Sequence, residues 1–279
     1  MSLDVRKIHW HDSKHEELYS DQEAAFDGTG RNRVHPPAFP HDPIVEIFAN
    51  VYLVRGSIKI GPGMRMSRNM LIVKHGEALT LINPVRLNEA ELSRLDGLGK
   101  VRHVMRLGDF HGLDDPFYVE RYQAKFWCQA GQSTYKMPYA DTVIDSYTVP
   151  PFPDAEFFIF ETATFPEAAL LLKAHELLIT TDSVQYWNDW RYTSLFTKLV
   201  LRLMGFRETL LIGKPWLKRV TPRRGSLLSD FEKLMTLDFE HLVAAHGAVL
   251  RDDAKPMLKA AMAATFGKAD KALGLAGSS

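Results

Sequence analysis

From Ile44 onward the chain is written in short β-branched and aromatic runs, IVEIF, NVYLVRG, NMLIVKH and ALTLINP, separated by turns that carry Gly or Asn. Runs of this length are too short for stable helices and have the composition of strands. Consecutive strands must bury their faces against a further layer, which restricts the chain to sheet-containing architectures. Asn88 followed by Glu91 marks a helix start, Leu92, Leu95 and Leu98 fall at helical spacing, and Gly99 closes the segment. VRHVMRL, residues 101–107, predicts a strand that runs into the loop GDFHGLDD. Pro116 then opens a helix, PFYVERYQ, and AKFWCQ returns as a strand.

The texture repeats in the second half. AEFFIFE, AALLLKAH, ELLITTD and HLVAAHG predict strands, and Asp253 to Phe266 predicts a closing helix. Two sheet-forming halves with helices between them indicate an α/β or α+β sandwich. Between Asp182 and His241 no strand signal is visible, so a helical insertion at about 185–236 is expected, holding NDWRYTSLFTKLVLRLMGF, KPWLKRVTPRR and SLLSDFEKLMTL. Residues 1–43 differ from the domain at 44–279. They carry His9, His11, His15, His35 and His41 and the run HPPAFPHDP without hydrophobic periodicity, which predicts an irregular arm with solvated imidazoles.

Composition narrows the class of partner. Lys+Arg and Asp+Glu balance at 34 each, against a chain built to coat nucleic acid. Cys128 is the only cysteine, so no intramolecular disulfide and no CxxC pair can form, and a reducing, cytoplasmic compartment is expected. The polar, His-rich amino terminus predicts no secretory leader. The most apolar stretch, Ser194 to Phe206, is interrupted by Lys198 and Arg202 and falls short of the ~20 residues of a membrane span. No Gly-x-Ser-x-Gly, GxxxxGK[ST] or GxGxxG occurs, which removes support for a serine-hydrolase elbow, a nucleotide triphosphatase and a dinucleotide enzyme. His103 and His175 stand in or beside apolar strands and read as packing residues.

Chemistry-bearing side chains gather at strand ends: Asp109, His111, Asp114 and Asp115 after one strand, Asp182 after a second and His246 after a third. Taken alone, an Asp-rich turn is equally a solvated loop or a helix cap. The order along residues 44–250 resembles the metallo-β-lactamase superfamily. LINPV is similar to that family's strand ending in Asp-Pro-Gly, DFHGLDD to its HxHxDH loop and TATFPEAA to its GHTPGS turn. LLITTDS is similar to its strand ending in Gly-Asp, and AAHG to its final His-Gly. The resemblance implies a four-layer αβ/βα sandwich. It places Asp109 at the first loop histidine, His111 at the second, Leu113 at the loop Asp and Asp114 at the last loop histidine. Asn83 replaces the Asp of Asp-Pro-Gly and Thr164 the third-motif histidine, while Asp182 and His246 match in type. This is the pattern of a degenerate branch.

The set carried over as metal ligands is Asp109, His111, Asp114, Asp182 and His246, two imidazoles and three carboxylates that suit one transition metal, zinc, iron or manganese. Asn83 and Thr164 are expected beside the site. The function implied is metal-dependent hydrolysis of a small ester, lactone, amide or phosphoester. The alternative is a non-catalytic descendant that binds a ligand or a partner. The insertion adds one further expectation. Leu195, Leu199 and Leu203 fall on one helical stripe beside Phe196 and Val200, with Lys198 and Arg202 expected on the opposite side. Trp190 to Ser229 holds nine basic residues and one acidic residue. Two roles stay open for the stripe: a lid packed over the mouth of the site, or peripheral contact with an anionic membrane.

Overall fold

The structure, a computed structural model, describes residues 35–272, with side chains as far as 267. The irregular arm expected over residues 1–43 lies outside the described residues as far as 34, and His9, His11 and His15 with it. The opening runs form β1 (Val45–Phe48), β2 (Val51–Gly61), β3 (Met64–His75) and β4 (Ala78–Ile82), an antiparallel meander. Helix α1 (Glu89–Leu98) starts where Asn88 Oδ1 accepts the Glu91 backbone N–H at 3.0 Å. It crosses over to β5 (Lys100–Met105), parallel to β4, and α2 (Asp115–Tyr122) crosses to β6 (Lys125–Cys128), parallel to β5. A short β7 (Thr142–Val143) completes a seven-stranded sheet in sequence order.

A second sheet is built from β8 (Ala155–Ile159), β9 (Ala168–Leu172), β10 (Leu177–Thr180), β13 (His241–Ala244) and β14 (Val249–Leu250), in the order β14-β13-β10-β9-β8. Between β10 and β13 lie β11 (Val184–Tyr186), α3 (Leu195–Leu203), β12 (Leu210–Ile212), α4 (Lys214–Val220) and α5 (Leu228–Leu234), and α6 (Ala254–Ala272) follows β14. The expected all-helical stretch is thus partly wrong: β11 pairs with β12 as a two-stranded sheet. Three residues apiece, VQY and LLI, are too few to display a period in sequence.

Strand side chains alternate between faces, and here both faces are covered. Met70 and Ile72 of β3 pack with Leu92, Leu95, Phe117 and Tyr118 under α1 and α2. Leu71 and Val73, one residue out of step, join Leu170, Leu172, Ile179 and Val243 in the seam between the sheets. Leu171 and Leu178 point the other way, onto Trp216, Phe231 and Leu258 of α4, α5 and α6. Helix, sheet, sheet, helix is the resulting order, the four-layer αβ/βα sandwich expected.

Helix α3 departs from expectation. Its stripe of Leu195, Phe196, Leu199 and Leu203 is exposed, while Thr197, Val200 and Leu201 are buried. Among the described residues the stripe does not pack as a lid. Leu201 enters a small cluster with Trp187, Trp190 and Phe206, and this anchor turns the larger apolar face outward. Lys198 and Arg202 therefore flank the exposed stripe, three positions from Leu195 and Leu199 respectively, instead of opposing it.

Ile179 in the seam and Leu199 on α3 give a matched test. Ile179→Ala should lower unfolding free energy by about 2–5 kcal/mol, whereas Leu199→Ala should change it by no more than about 0.5 kcal/mol. Denaturant melts of the two variants check the layer assignment, and equal losses would contradict it.

Candidate metal centre

Strand register brings two of the site residues together. β10 and β13 are parallel neighbours with Thr180 opposite Ala244, so Asp182 and His246, each two residues past those partners, leave the same sheet edge side by side. His246 Nε2 lies 3.4 Å from Asp182 Oδ1. The turn after His246 needs Gly247: its φ is 81°, and a Cβ there would sit 2.1 Å from the Tyr186 carbonyl oxygen. Asn69 of β3 holds this turn from the facing sheet, donating from its side-chain amide to the carbonyls of Ala244 (2.8 Å) and Gly247 (3.1 Å).

His111 arrives from the loop after β5. Three carboxylates tie that loop down. Asp109 accepts hydrogen bonds from the backbone N–H and hydroxyl groups of Ser133 and Thr134. Asp114 pairs with Arg68 at 2.9 Å and accepts from the Arg86 backbone N–H at 3.0 Å. Asp115 pairs with the fully buried Arg106 at 2.7 Å, whose guanidinium also donates to the carbonyls of Tyr135 and Met137. His111 is the residue left to turn inward, and its Nε2 stands 3.2 Å from Asp182 Oδ2.

Among the described residues His111, Asp182 and His246 form a group whose ligand atoms all lie within 4.8 Å of one another. Asp109 and Asp114, expected as ligands, stand outside this trio because their oxygens are engaged as loop ties. Asn83 is buried at the end of β4, with Oδ1 accepting the Leu107 backbone N–H at 3.2 Å. Thr164 is exposed, and its hydroxyl donates to the Val220 carbonyl at 3.0 Å, so it is not part of the group. Residues the sequence reading missed complete the surroundings. Gln185 Nε2 donates to Asp182 Oδ1 at 3.0 Å, and Trp187 donates to Gln185 Oε1 at 2.7 Å while stacking on the His246 ring.

Comparison with known proteins settles the architecture. The mono-zinc form of the metallo-β-lactamase FIM-1 from Pseudomonas aeruginosa superposes with a TM-score of 0.59 at 10% identity, covering 85% of this chain and 99% of that one. The DIM-1 metallo-β-lactamase gives 0.56 at 11% identity (81% and 96% covered), and a metallo-β-lactamase from Hirschia baltica 0.54 at 11% (79% and 97%). The chain has the metallo-β-lactamase fold. No protein-family model matches the sequence, and no curated protein matches it.

Within that metallo-β-lactamase fold the electrostatics follow from burial and pairing. Burial works to raise the Asp182 carboxyl, but the facing imidazoles of His111 and His246 outweigh it and hold the group well below the usual carboxylate range. Burial lowers the pKa of His111 against the pull of Asp182, which favours the neutral imidazole. Asp114 is pushed up by burial and drawn back by Arg68. Glu167, which accepts the Ser183 backbone N–H at 2.6 Å, is raised to about 8, first by burial and then by the Asp182 charge.

Glu167 therefore generates a pH signature in metal-free protein. The unfolded chain releases this proton near the ordinary value of 4.5, the folded protein near 8. Between those values the folded state binds more protons, so the contribution of Glu167 to stability falls as pH rises. Glu167→Gln has no proton to lose. Its stability relative to the parent should improve steadily as denaturant melts move from about pH 5 to about pH 8, and a difference that stays constant would show Glu167 ionised throughout.

Proposed function

We propose that this protein is a metal-dependent hydrolase whose single ion is held by His111, Asp182 and His246. One observation carries the reading. His246 Nδ1 lies 2.6 Å from the Ser67 carbonyl oxygen, which only accepts, so Nδ1 carries a proton and Nε2 is the nitrogen turned to the site. Nε2 faces Asp182 Oδ1 at 3.4 Å. A nitrogen and a carboxylate oxygen in this relation are joined by a cation between them, a proton or a metal ion. Fixing a histidine's tautomer through a backbone carbonyl is also how metal-ligating imidazoles are oriented.

Two imidazoles and a carboxylate are a donor set for zinc with a coordination position left open, and they suit iron or manganese as well. A metal held there supplies Lewis acidity and a water of near-neutral pKa. The protein's own groups prepare the place. Ser67 and Gln185 orient His246 and Asp182, Asp182 stays ionised, and His111 offers a neutral ring. Asp109 and Asp114 keep the His111 loop in position and give up no oxygen to the ion. The mono-zinc state of a similarly folded metallo-β-lactamase supports a one-metal site. The substrate class is a small ester, lactone, amide or phosphoester, whose carbonyl or phosphoryl oxygen such a site polarises.

Elemental analysis of purified protein should find close to one transition metal per chain. His111→Ala and His246→Ala should each lose it, while Asp114→Asn should retain it at reduced stability, because it weakens the partner of a buried guanidinium without removing a ligand. Turnover of an ester, lactone, amide and phosphoester panel should vanish with chelator and return with metal. Unchanged metal content in both histidine variants would overturn the assignment of the ion, and metal without turnover would overturn the hydrolase.

A further inference from the structure

We propose that the exposed face of α3 docks on an anionic lipid bilayer. Monomeric proteins seldom leave contiguous large apolar side chains in water, and such patches mark interaction sites. Leu195, Phe196, Leu199 and Leu203 are 83%, 48%, 56% and 65% exposed, and they sit together on a nine-residue helix. The opposite face is already used: Val200 and Leu201 are buried, with Leu201 against the Trp187, Trp190 and Phe206 rings. The helix is thus rigidly seated and its apolar stripe has no partner within the described fold.

Charge identifies the occupant. Lys198 and Arg202 border the stripe on one side. At the helix N-terminus the β2–β3 hairpin tip is fastened to α3, with the Ser194 hydroxyl donating to the Gly63 carbonyl at 3.0 Å and the Ser194 N–H to the Arg65 carbonyl at 3.0 Å. This tip adds the exposed Lys59 and Arg65. At the other end, a hollow lined by Trp190, Arg202, Leu203, Phe206, Arg207 and Glu208 holds two guanidinium groups. Arg202 meets Glu208 at 3.4 Å in an exposed ion pair, and Arg207 Nη1 donates to the carbonyls of Arg202 and Phe206, so each five-donor fork keeps further N–H groups for a phosphate. Arg202 also lies 5.7 Å over the Trp190 ring. An apolar face that carries the exposed Phe196 and is rimmed by cations is the combination that inserts at the boundary of headgroups and acyl chains and is drawn to anionic lipid.

A second copy of the chain fits less well. Nine helical residues are about 14 Å long and the helix is about 10 Å wide, well short of the roughly 800 Å² per partner of a stable interface. A two-fold contact would also gather Lys198 and Arg202 of both copies at one small interface. None of these residues belongs to the metal group, so membrane docking does not rest on the hydrolase reading.

Flotation of the full chain with vesicles tests it. Binding is expected to phosphatidylcholine vesicles containing phosphatidylserine at low salt, to weaken at high salt, and to be absent with phosphatidylcholine alone. Leu199→Ser with Leu203→Ser, and separately Lys198→Ala with Arg202→Ala, should each weaken binding by about tenfold or more, with the parent's circular dichroism and melting curve retained. No flotation with anionic vesicles at low salt overturns the proposal. So does equal binding to neutral vesicles, and so does lipid-free dimerisation abolished by the Leu199→Ser, Leu203→Ser variant, which would assign the face to a second copy.

Discussion

Parallel pairing between β10 and β13 is the constraint from which the site follows. Thr180 opposite Ala244 makes the exits of the two strands equivalent, and Asp182 and His246 occupy equivalent places beyond them. A slip of one residue would turn the side chains of one strand to the other face, sending Leu177 and Ile179 from the seam to the helix side and Leu178 the opposite way, against neighbours packed for other side chains. Register is thus held by burial on both faces, and the relative position of two site residues inherits that stability. Backbone fit confirms how closely this edge is packed. A Cβ on Gly213 would lie 2.1 Å from the Asp182 carbonyl oxygen, so only glycine lets β12 turn into α4 beside the site.

The third member of the group comes from the other sheet, and its loop is fixed by charge rather than by apolar contact. Arg68 with Asp114 and Arg106 with Asp115 are ion pairs with little or no solvent access. A buried pair gains little net stability over an apolar equivalent, but losing one partner strands the other at a cost of about 3–5 kcal/mol. Such pairs specify a geometry more than they stabilise a fold. Here they select one conformation of the segment from Gly108 to Asp115 and leave His111 as the imidazole that reaches Asp182. The many carboxylates of DFHGLDD and the single inward histidine are two aspects of one solution.

Much of this was legible in sequence, and the remainder has physical reasons for its silence. The runs from Val51 to Ile82 announced strands because each residue type and each turn agreed. The order of Asp182 and His246 at strand ends announced a shared edge. Asp109 and Asp114 could not be assigned by letter, since a ligand carboxylate and a loop tie are chemically the same group and differ only in partners far away in sequence: Ser133, Thr134, Arg68 and Arg86. A signal did exist. It concerns the neighbouring Asp115: Arg106 stands between Met105 and Leu107, and an arginine with apolar neighbours requires a carboxylate close by. On α3 the stripe of Leu195, Leu199 and Leu203 is legible, but Val200 falls on the buried side, Lys198 and Arg202 flank the stripe, and a stripe alone does not say which way it faces. The decision came from Leu201 and its aromatic neighbours, which no local pattern encodes.

Those aromatic neighbours also connect parts of the molecule that share no strand. Trp187 follows β11, stacks on His246 with ring centroids 6.3 Å apart, and donates its indole N–H to Gln185, whose amide holds Asp182. One side chain thereby steadies two members of the metal group, one through its face and one through its edge. The same ring meets Trp190 at 4.8 Å and Phe206 at 5.5 Å, and these flank Leu201 of α3. An indole wedged between the site and the buried side of a surface helix cannot shift toward either without opening a void, and close-packed interiors resist such voids. The outward stripe of α3 and the inward imidazole of His246 are therefore the two ends of one packed unit, which explains why a segment that looks inserted in sequence is built into the wall of the centre.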